Sequence, residues 1–184
     1  MPAKATFDKT VGLHIIIDGY NLIRRSPAMA RLDRRDLEAG RMALVKRLAA
    51  YKKVKHHRLT VVFDGAGGPA GLLRRDRIRG IEIHFSGPGE TADTLIKRMV
   101  RNAGDRVLVV SSDREVTGFA AAAGADTLES ELFEQRLAMA EMMELKGPAD
   151  EVPERQRRLT TRKKGPARRL SKKQRRQQRM LAKL

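Results

Sequence analysis

The sequence predicts an α/β protein, a three-layer α/β/α sandwich around a central, mostly parallel sheet. Three observations carry that expectation: short β-branched runs that are apolar on consecutive residues, amphipathic helical segments between them, and an Asp or Ser where the runs stop. Leu13 to Ile17, Leu59 to Phe63 and Val107 to Val110 read as buried parallel strands. Ile81 to Phe85 alternates as IEIHF, which suits a strand near a sheet edge, and a short fifth strand falls at about Ala125 to Leu128.

The helices follow from a different period. Asp36 to Lys55 sets Leu37, Leu44, Val45 and Leu48 on one face, with Arg41, Lys46, Lys52 and Lys53 elsewhere. Thr91 to Asn102 carries Leu95, Ile96, Met99 and Val100 at helical spacing and stops near Gly104. Glu115 to Ala123 is short and alanine-rich, and Ser130 to Leu145 repeats apolar residues at Leu132, Phe133, Leu137, Met139 and Ala140. Gly147 and Pro148 then close the domain, so we expect an extension over residues 1–12, a folded domain over 13–147 and a tail over 148–184.

The net charge of +17 is unevenly spread, because 14 of the 39 Lys and Arg lie in residues 151–184 beside only two Glu. RKKGPARRLSKKQRRQQR is too polar and self-repelling to bury a core, and reads as a disordered basic arm that attracts polyanions by counterion release. Arg162, Lys163, Lys164, Arg168 and Arg169 are its candidate contacts to nucleic acid, the commonest cytosolic polyanion. No apolar run approaches the roughly 18 residues of a membrane span, and MPAKATFDKTVG has no signal-peptide core, so we expect a cytoplasmic protein. The lack of cysteine excludes disulfides, thiolate nucleophiles and zinc–cysteine sites.

Asp18 ends the first strand run, Asp64 the second and Asp113 the fourth, so three carboxylates project from one edge of the sheet. Asp93 joins them from the first turn of a helix, where the positive terminus favours its charge, and Glu90 precedes that helix. Each such residue alone is more often a turn former or helix cap. Together they would repel unless a cation lay among them, and oxygen-only ligation suits Mg²⁺ or Mn²⁺ and phosphodiester chemistry.

Other signatures are absent or weak. There is no GxGxxG after the first strand, no GxxxxGK[ST], and no DxD at Asp18, because Tyr20 stands two residues on. GAGGPAG, residues 65–71, runs into LLRRDRIRG and reads as a substrate-facing loop, with Arg74, Arg75, Arg77 and Arg79 as phosphate contacts. His56 and His57 fit a basic helix terminus, and His14 and His84 fit strand packing. Tyr20 packs in the core or stacks on a nucleotide, and Asn21 hydrogen-bonds the carboxylates or caps the backbone.

The combination of IIDGYNLI, VVFDG, ETADTLI and VVSSDRE resembles the YacP-like branch of the NYN domain family, within the PIN-like nucleases, over residues 13–145. The resemblance implies a PIN-like, Rossmann-like sandwich and an endoribonuclease using Mg²⁺ or Mn²⁺, acting on mRNA associated with the ribosome. It makes Asp18, Asp93 and Asp113 the metal set, with Asn21, Asp64 and Glu90 supporting the site and Ser112 orienting Asp113. Thr94 departs from the pattern, standing where relatives often carry a second acidic residue. The alternative is a weakly catalytic or non-catalytic module that binds mRNA, rRNA or the ribosome through the same fold and tail.

Overall fold

The computed structural model describes residues 12–65, 75–104 and 106–146. The expected N-terminal extension apart from Gly12, most of the glycine-rich loop, Arg74 and the whole basic arm with Arg162, Lys163, Lys164, Arg168 and Arg169 lie outside them. Chain order is β1 (His14–Asp18), α1 (Gly19–Arg25), α2 (Pro27–Asp33), α3 (Leu37–Val54), β2 (Arg58–Phe63), β3 (Arg75–Ile78) and β4 (Ile81–Phe85). It continues through α4 (Ala92–Asn102), β5 (Val107–Val110), α5 (Arg114–Ala122), β6 (Asp126–Leu128) and α6 (Ser130–Lys146).

The strands form one six-stranded sheet in the order β3-β4-β2-β1-β5-β6, parallel except for β3. This is the α/β sandwich that the strand and helix patterns predict. Alternate residues of the central strands serve opposite layers. Ile15 and Ile17, Leu59, Val61 and Phe63, and Leu108 and Val110 pack with α1, α2, α3 and α6, whereas Ile16, Val62, Val107 and Val109 pack with α4 and α5. Because β1 is sandwiched on both faces and paired on both edges, its four residues from Ile15 to Asp18 are all buried.

Three local features lie outside the elements expected from sequence. After β1 the chain enters a helix at Gly19, Tyr20 and Asn21, capped by Asp18. Ser26 precedes Pro27 and is held extended (φ −100°, ψ 114°), so the helical path breaks there into α1 and α2. Residues 75–78, read as loop, form an edge strand whose register with β4 makes Arg79 and Gly80 a two-residue hairpin turn, both at positive φ (52° and 77°).

Side-chain placement also corrects the predicted faces. Leu37, Leu132 and Met139, expected inside, are exposed, while Arg41, expected outside, is only 7% exposed. Arg41 donates to the Tyr20 hydroxyl at 3.2 Å and lies over the Phe85 ring, so its charge is taken up by a phenol oxygen and a π face. His14 hydrogen-bonds Thr60 Oγ1 at 2.9 Å, a packed strand histidine as expected. Among the described residues no helix is long and apolar enough to cross a membrane.

Gly19 is the tightest point of this layer. A Cβ there would lie 2.3 Å from the Phe63 ring, which is fully buried and wedged between Tyr20 and Phe85 at centroid distances of 5.1 and 5.8 Å. The ring cannot withdraw. Gly19→Ala is therefore expected to lower unfolding free energy by about 2 kcal/mol, the scale of overpacking in a filled core. Urea denaturation checks it, and an unchanged midpoint would mean that the ring has room to move.

Candidate active site at the carboxyl edge of the sheet

The two-residue alternation along parallel strands decides which side chains meet. Asp18 shares its strand face with Ile16, Asp64 follows the parity of Val62, and Ser111 follows that of Val109, so all three fall on the α4/α5 side. Register places Asp18 beside Val62 on β2, and Ile17 beside Val110 on β5. The ends of three adjacent strands therefore deliver two carboxylates and a hydroxyl to one ledge.

Asp18, 8% exposed, is held on both oxygens: Oδ1 accepts from the Asn21 N–H at 3.2 Å and Oδ2 from the Ser111 hydroxyl at 3.0 Å. Ser111 Oγ in turn accepts the N–H of Asp113 at 3.1 Å, so one buried hydroxyl joins Asp18 to the Asp113 backbone. Asp113 Oδ1 caps α5 through the N–H groups of Glu115 and Val116. Asp64 Oδ1 accepts from the Ala92 N–H at 2.6 Å and so ties the end of β2 to the first turn of α4. Thr91 provides the cap within that helix by accepting from Thr94, and Thr94 is thereby part of the helix start.

Asp93 sits in the turn that Asp64 anchors. Burial raises its pKa, Asp113, Asp64 and Glu115 raise it further, and Lys97 opposes them. Burial likewise pushes Asp18 up to about 6, against the hydrogen bonds from Asn21 and Ser111, with Asp93 and Asp64 adding repulsion. Asp18, Asp64, Asp93 and Asp113 thus form a chain of carboxylates that feel one another's charge.

Two sequence-predicted supports take other positions. Glu90 pairs with Arg98 and accepts from the Gly87 N–H, which occupies both of its oxygens. Asn21 Oδ1 accepts from the Ser112 N–H (3.0 Å) and the Ser130 hydroxyl (2.8 Å), while Ser112 Oγ accepts from the Ser130 N–H. Asn21 and Ser112 therefore lock α1 to the β5–α5 junction and to the start of α6. The serine that touches Asp18 is Ser111, which sequence reasoning passed over; its parity with Val109 in VLVVSSD was the available signal. Tyr20 lies against Phe63, on the opposite sheet face. Of the exposed hairpin arginines, Arg75 is level with His84 near the carboxyl edge, whereas Arg79 lies at the far end, in the turn where Lys52 donates to Gly80.

The donor set fits a hard divalent ion. Every side chain on the ledge offers oxygen, the carboxylates repel, and the most buried one resists ionisation. Among the described residues no three Asp, Glu or His side chains close into a ready-made ligand cluster.

The raised pKa of Asp18 has a testable consequence. A carboxyl whose folded pKa exceeds its unfolded value stabilises the fold below the unfolded value, here 3.8, and that contribution is lost as pH rises through about 6. His14, lowered to about 4 mainly by burial, acts oppositely, since its stability is lost as pH falls from 6.5 through 4. Comparing the parent with Asp18→Asn isolates the first effect, because Asn also caps helices. In EDTA the variant is expected to match the parent near pH 3.5 and to exceed it by on the order of 2–3 kcal/mol above pH 7. A stability difference that does not change with pH, measured by urea unfolding, would contradict the assignment.

Comparison with known proteins bears on the family and the fold. The sequence profile described as the YacP-like NYN domain matches residues 15–183. A Bacillus subtilis (strain 168) protein, YacP, is 30% identical over 102 residues, covering 54% of this chain and 59% of that protein, less than two thirds of its length. Two crystal structures of Rae1 (YacP) from Bacillus subtilis superpose with a TM-score of 0.60 each. One, of a point mutant, is 22% identical and the other 24%, covering 71% and 70% of this chain and 78% and 75% of theirs, a likeness that establishes the fold. With the profile spanning most of its length, the chain belongs to the YacP-like NYN domain family.

Proposed function

We propose that this protein is a metal-dependent endoribonuclease that cleaves RNA phosphodiester bonds, with ribosome-associated mRNA as its substrate. NYN domains are generally nucleases, which sets the reaction class. The observation that carries the reading further is the coupled set Asp18, Asp64, Asp93 and Asp113, gathered on one side of the carboxyl edge by strand parity and helix caps. Bound Mg²⁺ or Mn²⁺ would supply Lewis acidity toward a phosphoryl oxygen and a more acidic water. Asp18 and Asp93 would hold the ion, with Asp113 beside Asp93.

The protein's own groups divide the remaining tasks. Ser111 fixes the Asp18 carboxylate by donating to Oδ2 and leaves Asp113 oriented by its backbone. Asp64 secures the α4 terminus that carries Asp93. Lys97, paired with Glu115 and acting on Asp93, moderates the negative charge at the rim. The basic arm would hold RNA near the site through phosphate contacts without reading sequence.

One observation favours a second reading, an RNA-binding module with little catalysis. Thr94, standing where relatives often carry a second acidic residue, is bound into the start of α4 through both its N–H and its hydroxyl, and adds no charge to the ledge. The same purified proteins separate the two. Asp18→Asn and Asp93→Asn are each expected to lower Mg²⁺- or Mn²⁺-dependent RNA cleavage by about 100-fold or more, while RNA affinity in EDTA changes little. For the parent, Mn²⁺ at 100 times its Kd should add about 2.7 kcal/mol of stability. Full cleavage by both variants would refute the assignment; no cleavage by the parent, with no Mn²⁺ response, would leave the binding module.

A further inference from the structure

A second charged feature lies outside the carboxylate ledge. Arg24, Arg25, Arg31, Arg34 and Arg35 crowd into the twelve residues from Arg24 to Arg35, and all five are exposed. Five other cations are paired, Arg47 with Glu134 and Glu141, Lys53 with Glu144, Arg58 with Glu82, Lys97 with Glu115 and Arg98 with Glu90, while exposed Lys46, Arg75, Arg77, Arg79 and Arg106 are in no ion pair among the described residues but do not form so dense a run. None of the ion pairs among the described residues involves the five arginines. Of the nearby acids, Asp36 caps α3, Asp33 buries Oδ1, which has no hydrogen-bond partner, in a side chain packed against Gly40, and Glu38 lies exposed in the first turn of α3 without an ion pair to the run.

Helix polarity explains part of the run. Arg24 and Arg25 end α1 and Arg31 ends α2, where cations are favoured. It does not explain Arg34 and Arg35, which lie between α2 and α3. Topology fixes where they stand. α3 crosses back from the carboxyl edge to the amino end of β2, so its first residues, just after Arg35, are at the carboxyl edge. Arg34 and Arg35 thus stand at the edge that carries the candidate active site, on the α3/α6 side of the sheet and across it from the ledge, while Arg24 and Arg25, next to Ser26 and its contact with Arg47, lie farther from that edge. Exposed Leu32 and Leu37 lie among the arginines, giving a surface of planar cations and apolar patches.

We propose that Arg24, Arg25, Arg31, Arg34 and Arg35 form a docking surface for the phosphate backbone of single-stranded RNA, guiding the strand toward the carboxylate ledge. This rests on the RNA reading above. Unpaired guanidiniums present several donors in a plane that matches phosphate oxygens, and their charge offsets the repulsion between RNA and the acidic ledge. The contacts would position the strand and carry no sequence preference.

The test compares two full-length variants of equal charge. Arg34→Gln/Arg35→Gln removes two cations from the proposed surface. Lys46→Gln/Arg106→Gln removes two exposed cations elsewhere, with Arg106 at the amino end of β5. Binding of a fluorescein-labelled oligouridine is followed by anisotropy in EDTA over a salt series, so that cleavage does not enter. The surface variant is expected to bind about tenfold more weakly near 0.1 M salt and to lose about 1.4 from the log–log salt slope, with the control close to the parent. Equal losses in both variants, or none in the surface variant, would overturn the proposal while leaving the RNA reading standing. A parent that binds no oligouridine would sink both, and Mn²⁺-dependent stabilisation would still report on the metal site.

Discussion

Parallel pairing of β1 with β2 on one side and β5 on the other governs where chemistry can occur in this molecule. In a parallel sheet all three strands stop at the same edge, and the two-residue alternation then sorts their last side chains between faces. Asp18, Asp64 and Ser111 fall on the α4/α5 face, while Ser112 and Phe63 fall on the other. A slip of one residue in β1 would carry Asp18 into the apolar layer with α3 and α6. The register therefore protects the core and the site together.

Holding like charges at one edge costs stability, and the fold offsets this with polar bonds already needed for its architecture. Asp18 caps α1, Asp113 caps α5, and Asp64 satisfies the first N–H of α4, so each carboxylate meets a helix terminus whose dipole favours negative charge. Those bonds do not cancel the burial of Asp18, whose pKa stays raised. Under the proposed function a divalent cation and an RNA strand would bring opposite charges to this edge, where carboxylates on the ledge and the arginines around α2 would be their complements.

Much of this is legible in the sequence. β1, β2, β4 and β5 announce themselves by runs of Ile, Val and Leu, and α3, α4, α5 and α6 lie close to their predicted bounds, because long periodic segments bury enough apolar surface for pattern to dominate. Asp18, Asp64, Asp93 and Asp113 stand out by position alone. What escapes is local or relational. α1 and α2 are seven residues each and owe their separation to Pro27, and β3 is held by backbone pairing to β4 through polar residues that resemble a loop. Arg41 is buried because Tyr20 and Phe85 receive it, and Glu90 is withdrawn by Arg98, eight residues on. Neither partner is visible in a periodicity.

All the chemistry assigned to this edge depends on whether the acidic ledge binds a divalent ion. A crystal of the full chain grown with Mn²⁺ and measured for anomalous scattering addresses this directly. The expected result is a peak at the carboxyl edge between Asp18 and Asp93, held by carboxylate oxygens and water, that disappears in Asp93→Asn. Mn²⁺ density confined to other surfaces, with the Asp18 and Asp93 carboxylates bare, would contradict it.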